Sequence, residues 1–125
     1  MALNLPSPCL VILVGPGASG KSTWAATHFP ADCVVSSDRL RAMVGEGEDD
    51  ITASTDAFAV LDDIVTRRCA RRLTTVVDTL GLDRQRRLGW LELARRHGLA
   101  CVAVAFDTPA AQCRERNRAR VKRIP

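Results

Sequence analysis

Six consecutive apolar residues, Cys9-Leu10-Val11-Ile12-Leu13-Val14, run directly into Gly15-Pro16-Gly17-Ala18-Ser19-Gly20-Lys21-Ser22-Thr23. The run is far shorter than the roughly 20 residues of a membrane-spanning helix. It also lacks the alternation of a strand with one wet face, so it reads as a strand buried on both sides of a sheet. The segment after it fits G-x-x-x-x-G-K-S/T in the strand–turn–helix setting that the motif needs. Glycines permit backbone turns that a Cβ obstructs. Successive N–H groups and the N-terminus of the next helix then converge on an anion. The pattern assigns nucleotide binding to Gly15, Gly17, Ala18, Ser19, Gly20, Lys21, Ser22 and Thr23. Lys21 stands to meet the β- and γ-phosphates of ATP, and the Ser22 hydroxyl to hold Mg²⁺. Lys21 is one of two lysines among 18 basic residues, so it is not part of a general basic surface.

The rest of the chain alternates strand and helix. Residues 21–28 open a helix that stops before Pro30, and 33–36 form a second strand leading into a short helix over 38–44. The acidic stretch 45–50 is a loop. Over 54–72, Ala57, Val60, Leu61, Ile64 and Val65 recur at helical spacing. A third strand covers 74–77, and a helix capped by Asp83 runs to His97, with Gly98 as its stop. A fourth strand spans 100–106. Thr108 and Pro109 then start a last helix that carries Arg116, Arg120 and Arg123 on one face. This order implies an α/β fold with a central parallel sheet covered on both faces, with ligands at the carboxyl ends of the strands.

The charge is localised. Residues 1–113 carry 12 Lys+Arg against 13 Asp+Glu, whereas residues 114–125 carry six against one. The basic segment is either a solvated helix face, a nucleic-acid-binding tail or a set of anion clamps. Five scattered cysteines without a CxxC read as small buried hydrophobes, not as disulfides or a zinc site. The N-terminus has no basic residue and no long apolar stretch, and the expectation is a cytoplasmic chain with no membrane association.

Residues just past each strand are the chemical candidates. Asp38, after Ser36-Ser37, is placed to accept a proton from an attacking hydroxyl, or else it or Ser37 caps the short helix. Arg41 shares its helix face and suits an anionic acceptor. Asp78 ends the third strand, as a water-mediated Mg²⁺ partner or as a structural acceptor. Trp24, Trp90 and the three Phe read as core, since none clusters with the arginines. His28 and His97 fall at helix C-termini, where the dipole accounts for them.

The segments GPGASGKSTWAATHF, VVSSDRLRAMVGEGEDDITASTDAFAVLDDIV, LTTVVD and VAVAFDTPAAQCRERNRARVKR together resemble the 5′-OH polynucleotide kinase module of bacterial polynucleotide kinase-phosphatase RNA end-healing enzymes. SSD-x-x-R and C-x-E-R-N-x-x-R are its specific parts. The resemblance implies a P-loop NTPase, kinase-like three-layer fold with ATP and Mg²⁺ as cofactors. It further implies Lys21 and Ser22 on ATP-Mg²⁺, Asp38 as general base, Arg41 near the acceptor, and Arg116 and Arg123 as lid contacts to the donor phosphates. Two departures stand out. Asp78-Thr79-Leu80-Gly81 replaces the family's Asp-Ala-Thr-Asn, and the chain ends at Ile124-Pro125 where family modules continue to a further strand. The expectation is therefore one kinase-like domain over residues 1–125, with the C-terminal strand and part of the lid missing, cut from a larger multidomain protein. The expected reaction moves the γ-phosphoryl group of ATP to a hydroxyl, foremost the 5′-OH end of RNA or DNA. The alternatives are a small-molecule P-loop kinase and a nucleotide-binding regulatory domain appended to another enzyme.

Overall fold

The structure is a computed structural model that describes residues 5–16 and 19–106, and the backbone of 120–124. Strands β1 (Cys9–Val14), β2 (Val34–Ser36), β3 (Thr75–Asp78), β4 (Ala100–Ala105) and β5 (Arg120–Ile124) form one sheet in the order β2-β3-β1-β4-β5. The first four are parallel, and β5 runs antiparallel to β4. The described helices are α1 (Lys21–His28), α2 (Ser37–Val44), α3 (Ser54–Ala70) and α4 (Arg84–Arg96), with short 3-10 turns at Ala31–Cys33 and Ile51–Ala53.

Each helix follows from local chemistry. Ala57, Leu61, Val65 and Cys69 recur every four residues along α3 and are fully buried. Asp83 caps α4, its carboxylate accepting from the Gln85 and Arg86 amides at 2.9 and 3.3 Å. The helix ends as its glycine predicts. Gly98 takes φ 69°, the Leu99 N–H donates to the Ala94 carbonyl at 2.8 Å, and the Gly98 N–H donates to that of Arg95 at 3.1 Å.

Alternation along the strands builds two cores, one on each side of the sheet. Leu10, Ile12, Val77 and Cys101 face α3 and α4, packing with Leu61, Val65, Trp90 and Leu93. Cys9, Val11, Leu13, Val76, Val102 and Val104 face the other way, toward Ala25, Trp24 and Phe29. Both faces of β1 are thereby covered, which is why its sequence is continuously apolar. Among the described residues no helix is long and apolar enough to cross a membrane.

One element differs from the sequence reading. Arg120–Ile124 is a strand, with Arg120 paired to Ala105 and Ile124 to Cys101, and not the end of a basic helix. Arg120 and Arg123 therefore do not share a helix face. The outer edge of β4 leaves backbone groups to be paired, and Val121 and Ile124 are β-branched. Pairing along that edge outweighs the helical spacing of three arginines. Arg116 lies outside the described residues, as do Gly17, Ala18, Cys113 and the Thr108-Pro109 start of the expected helix.

Candidate active site

Register sets the site. Ile12 pairs with Val77, and Ser36 with Asp78, so β1, β2 and β3 end at the same sheet edge. There the glycine turn leaves β1, α2 leaves β2, and the Thr79-Leu80-Gly81 loop leaves β3.

The glycine turn is held tightly. A Cβ on Gly15 would stand 2.6 Å from the Phe106 carbonyl oxygen and 3.2 Å from Ser19 Oγ, so no side chain fits there. Gly20 takes φ 88°, in the left-handed region, and turns the chain into α1. Lys21 then begins the helix with only 4% of its surface exposed. Its ammonium lies 3.7 Å from Asp78 Oδ1. The Ser22 hydroxyl donates to Asp78 Oδ2 at 2.7 Å. Asp78 thus joins the two residues that the motif assigns to phosphate and metal.

Asp38 sits in the first turn of α2 but does not cap it. Ser36 does, its hydroxyl accepting from the Arg39 amide at 3.3 Å. The Asp38 carboxylate pairs instead with the Arg41 guanidinium one turn on. Arg41 Nε donates in turn to the Glu48 carbonyl at 2.8 Å, which ties α2 to the acidic loop. Lys21, Asp78, Asp38 and Arg41 all line one cavity of about 530 Å³, together with Phe58, Leu82 and Arg86.

The AAA domain family AAA_33 matches residues 10–124, nearly the whole of this sheet and its helices. The chain belongs to that family. Its fold is that of a P-loop kinase-like domain. Two solved structures share the fold, one described as the Pnkp1/Rnl/Hen1 complex and the other as the Pnkp1/Rnl/Hen1 RNA repair complex. Their TM-scores are 0.68 and 0.67, each at 21% identity over 87% of this chain. The chain spans 38% and 36% of the length of those matched chains. No curated protein matches the sequence.

The residues of this AAA_33 domain fit a nucleotide with its metal. Ser19 Oγ is buried with no hydrogen-bond partner among the described residues. A hydroxyl left so suits an incoming phosphate oxygen. The Ser22 hydroxyl and the Asp78 carboxylate supply the hard oxygen donors that Mg²⁺ takes. Thr23 is exposed one position further along α1, and its carbonyl accepts from the Thr27 hydroxyl at 2.9 Å. Arg123 belongs to β5 and not to a helix.

Two features of the site escape a reading of the sequence. The first is the loop after β3. Gly81 takes φ 70°, and a Cβ there would run into the Leu13 carbonyl oxygen and stand 3.0 Å from Val14 Cα. That close approach lets the Leu80 carbonyl accept from the Gly15 N–H at 2.9 Å. The Gly81 N–H donates to Thr79 Oγ1 at 2.9 Å, and Arg87 donates to the Gly81 carbonyl. The loop therefore braces the start of the glycine turn. A glycine three residues past a strand-ending Asp was the available signal.

The second is an arginine–aromatic contact. Trp90 is buried, and Trp24 packs against His28, Phe29 and Phe106. Phe58, however, lies under Arg86, whose guanidinium carbon is 3.9 Å from the ring centroid. Phe58 and Arg86 are far apart along the chain and come from different helices, so the pairing is not visible in the sequence.

Proposed function

We propose that this domain transfers the γ-phosphoryl group of ATP to a hydroxyl, and that the hydroxyl is the 5′-OH of an RNA or DNA end. The observation that carries the transfer is the shared cavity: a carboxylate–arginine pair, Asp38–Arg41, opens onto the same space as Lys21 and Asp78. One side suits the donor and the other the acceptor.

The amides of the glycine turn and the Lys21 ammonium hold the β- and γ-phosphates. Ser22 and Asp78 would hold the metal, which would supply charge neutralisation to the transferring phosphoryl group. Asp38 accepts the acceptor's proton as a bond forms from the acceptor oxygen to the γ-phosphorus and the bond to the β-bridging oxygen breaks, leaving ADP. Arg41 orients the acceptor through an adjacent phosphate. Arg116 completes the grip on the donor phosphates, a role that rests on the sequence resemblance; Arg123, paired with Val102 on β5, is not assigned to it.

The nucleic-acid end is supported by the SSD-x-x-R pattern around Asp38 and Arg41, and by fold likeness to an RNA repair complex. The loop Thr79-Leu80-Gly81 favours a second reading, a small-molecule acceptor, because Leu80 places an apolar side chain at the cavity. Incubation with γ-labelled ATP separates the two. Label should enter a 5′-OH oligonucleotide, less efficiently as salt rises, and a free nucleoside should be labelled poorly. Equal labelling of an uncharged acceptor with none on the oligonucleotide rejects the polynucleotide reading.

A further inference from the structure

The cavity lined by Asp38 and Arg41 is also lined by a charged residue with several partners. Arg86, in the first turn of α4, lies with its guanidinium over Phe58. Its Nη1 is 3.7 Å from Asp62 Oδ2 and its Nε is 3.6 Å from Asp83 Oδ2. Both carboxylates are themselves fixed. Asp62 accepts the Trp90 indole N–H at 3.1 Å, and Asp83 is the N-cap of α4. The guanidinium therefore lies over an aromatic ring with two carboxylates at ion-pair distance, beyond hydrogen-bond reach. Its side chain nonetheless remains 36% exposed, and Arg86, Phe58, Leu80 and Leu82 line the same cavity as Asp38.

Two carboxylates already balance the charge of this arginine. The feature it still offers is the outer face of a rigid plane. A guanidinium plane backed by an aromatic ring is a surface on which a nucleobase stacks. Leu80 and Leu82, 50% and 65% exposed, add apolar walls beside it. We infer that Arg86, stacked on Phe58 and flanked by Leu80 and Leu82, is the platform for a nucleobase at the acceptor end. The inference rests on the nucleic-acid reading of the acceptor, and it adds that the site grips a base as well as phosphates.

Equilibrium binding tests it without requiring turnover. Fluorescence anisotropy compares a 3′-labelled oligonucleotide having a 5′-OH with the same oligonucleotide made abasic at its two 5′ residues. The wild-type chain should bind the base-bearing form roughly tenfold tighter, the range of one base-stacking contact. Arg86→Ala should bring the two forms within about threefold while the slope of log affinity against log salt stays the same, because no phosphate contact is lost. Arg41→Ala should do the reverse, keeping the base preference and making the slope shallower by about 0.7. Arg86→Lys should not restore the preference, since an ammonium has no plane.

The wild-type comparison needs no variant, so an unstable Arg86→Ala leaves the test intact. Equal wild-type binding of the two forms, a base preference that survives Arg86→Ala, a salt slope that falls in Arg86→Ala as in Arg41→Ala, or no oligonucleotide binding overturns the inference. Transfer from γ-labelled ATP, measured in parallel, tests the underlying reading separately. Label transferred without base preference sinks the platform alone, and base preference without transfer sinks the kinase reading alone.

Discussion

Lys21 and Asp38 border one cavity, yet their surroundings differ so much that equivalent substitutions should behave differently. Lys21 is almost fully buried, and its charge faces the equally buried Asp78. Lys21→Met should lower phosphoryl transfer by orders of magnitude. It should also cost about 3 kcal/mol of stability, because among the described residues Asp78 keeps a buried charge with only the Ser22 hydroxyl beside it. The double variant Lys21→Met/Asp78→Asn should recover most of the melting temperature and none of the transfer, a separation that thermal melts and a labelling assay read together. Asp38 is more than half exposed, and Ser36 caps its helix. Asp38→Asn should therefore change stability by less than about 1 kcal/mol and reduce transfer by about 10²- to 10⁴-fold. A melting point that falls while specific activity holds would return Asp38 to a structural role.

Between elements, the loop from β3 to α4 ties a wall of the cavity to the glycine turn that leaves β1. Gly81 is the residue on which this contact depends, since its left-handed backbone and the missing Cβ are both used. Gly81→Ala should destabilise the domain by about 2 kcal/mol or more. ATP affinity should fall as well, because the Leu80 carbonyl can no longer stay on the Gly15 N–H. Isothermal titration of ATP into folded Gly81→Ala with unchanged affinity would deny the loop its bracing role. The sequence disclosed β1, the glycine turn, α3, α4 and the alternation of strands with helices, because each is written in local periodicity or in a cap; the order of the strands in the sheet is not. It placed Lys21, Ser22, Asp38 and Asp78 at strand ends for the same reason. It did not disclose β5, where an edge of β4 and not the segment itself decides the conformation. Nor did it disclose the Gly81 brace or the Phe58–Arg86 contact, since residues 13 and 81, or 58 and 86, meet only after the sheet has formed.

Across the whole molecule, three cysteines are distributed between both cores and one strand pair. Cys9 lies under α1, and Cys69 and Cys101 lie on the α3 and α4 side, all three buried. Burial pushes the Cys101 thiol up to about 12 from an ordinary 9.0, with Cys69 and Cys9 adding smaller upward contributions. Burial raises Cys69 in the same direction. The consequence for folding has a definite sign. Above about pH 9 the unfolded chain loses these thiol protons while the native chain keeps them, so the unfolded state binds fewer protons and stability falls as pH rises. Below the unfolded value both states are protonated and the term vanishes. Denaturant melts should therefore show a stability plateau through neutral pH and a decline from about pH 9 toward 12, steeper than one thiol alone would give. Cys101→Val keeps a small apolar side chain at this buried strand position and removes the largest contribution. It should flatten that decline and leave stability at pH 7 within about 1.5 kcal/mol. In the native state the same burial should protect these thiols from alkylation at pH 8, where partly exposed Cys33 reacts. If Cys101→Val declines with pH as steeply as the wild type, the alkaline loss arises elsewhere and the buried thiol is not its source.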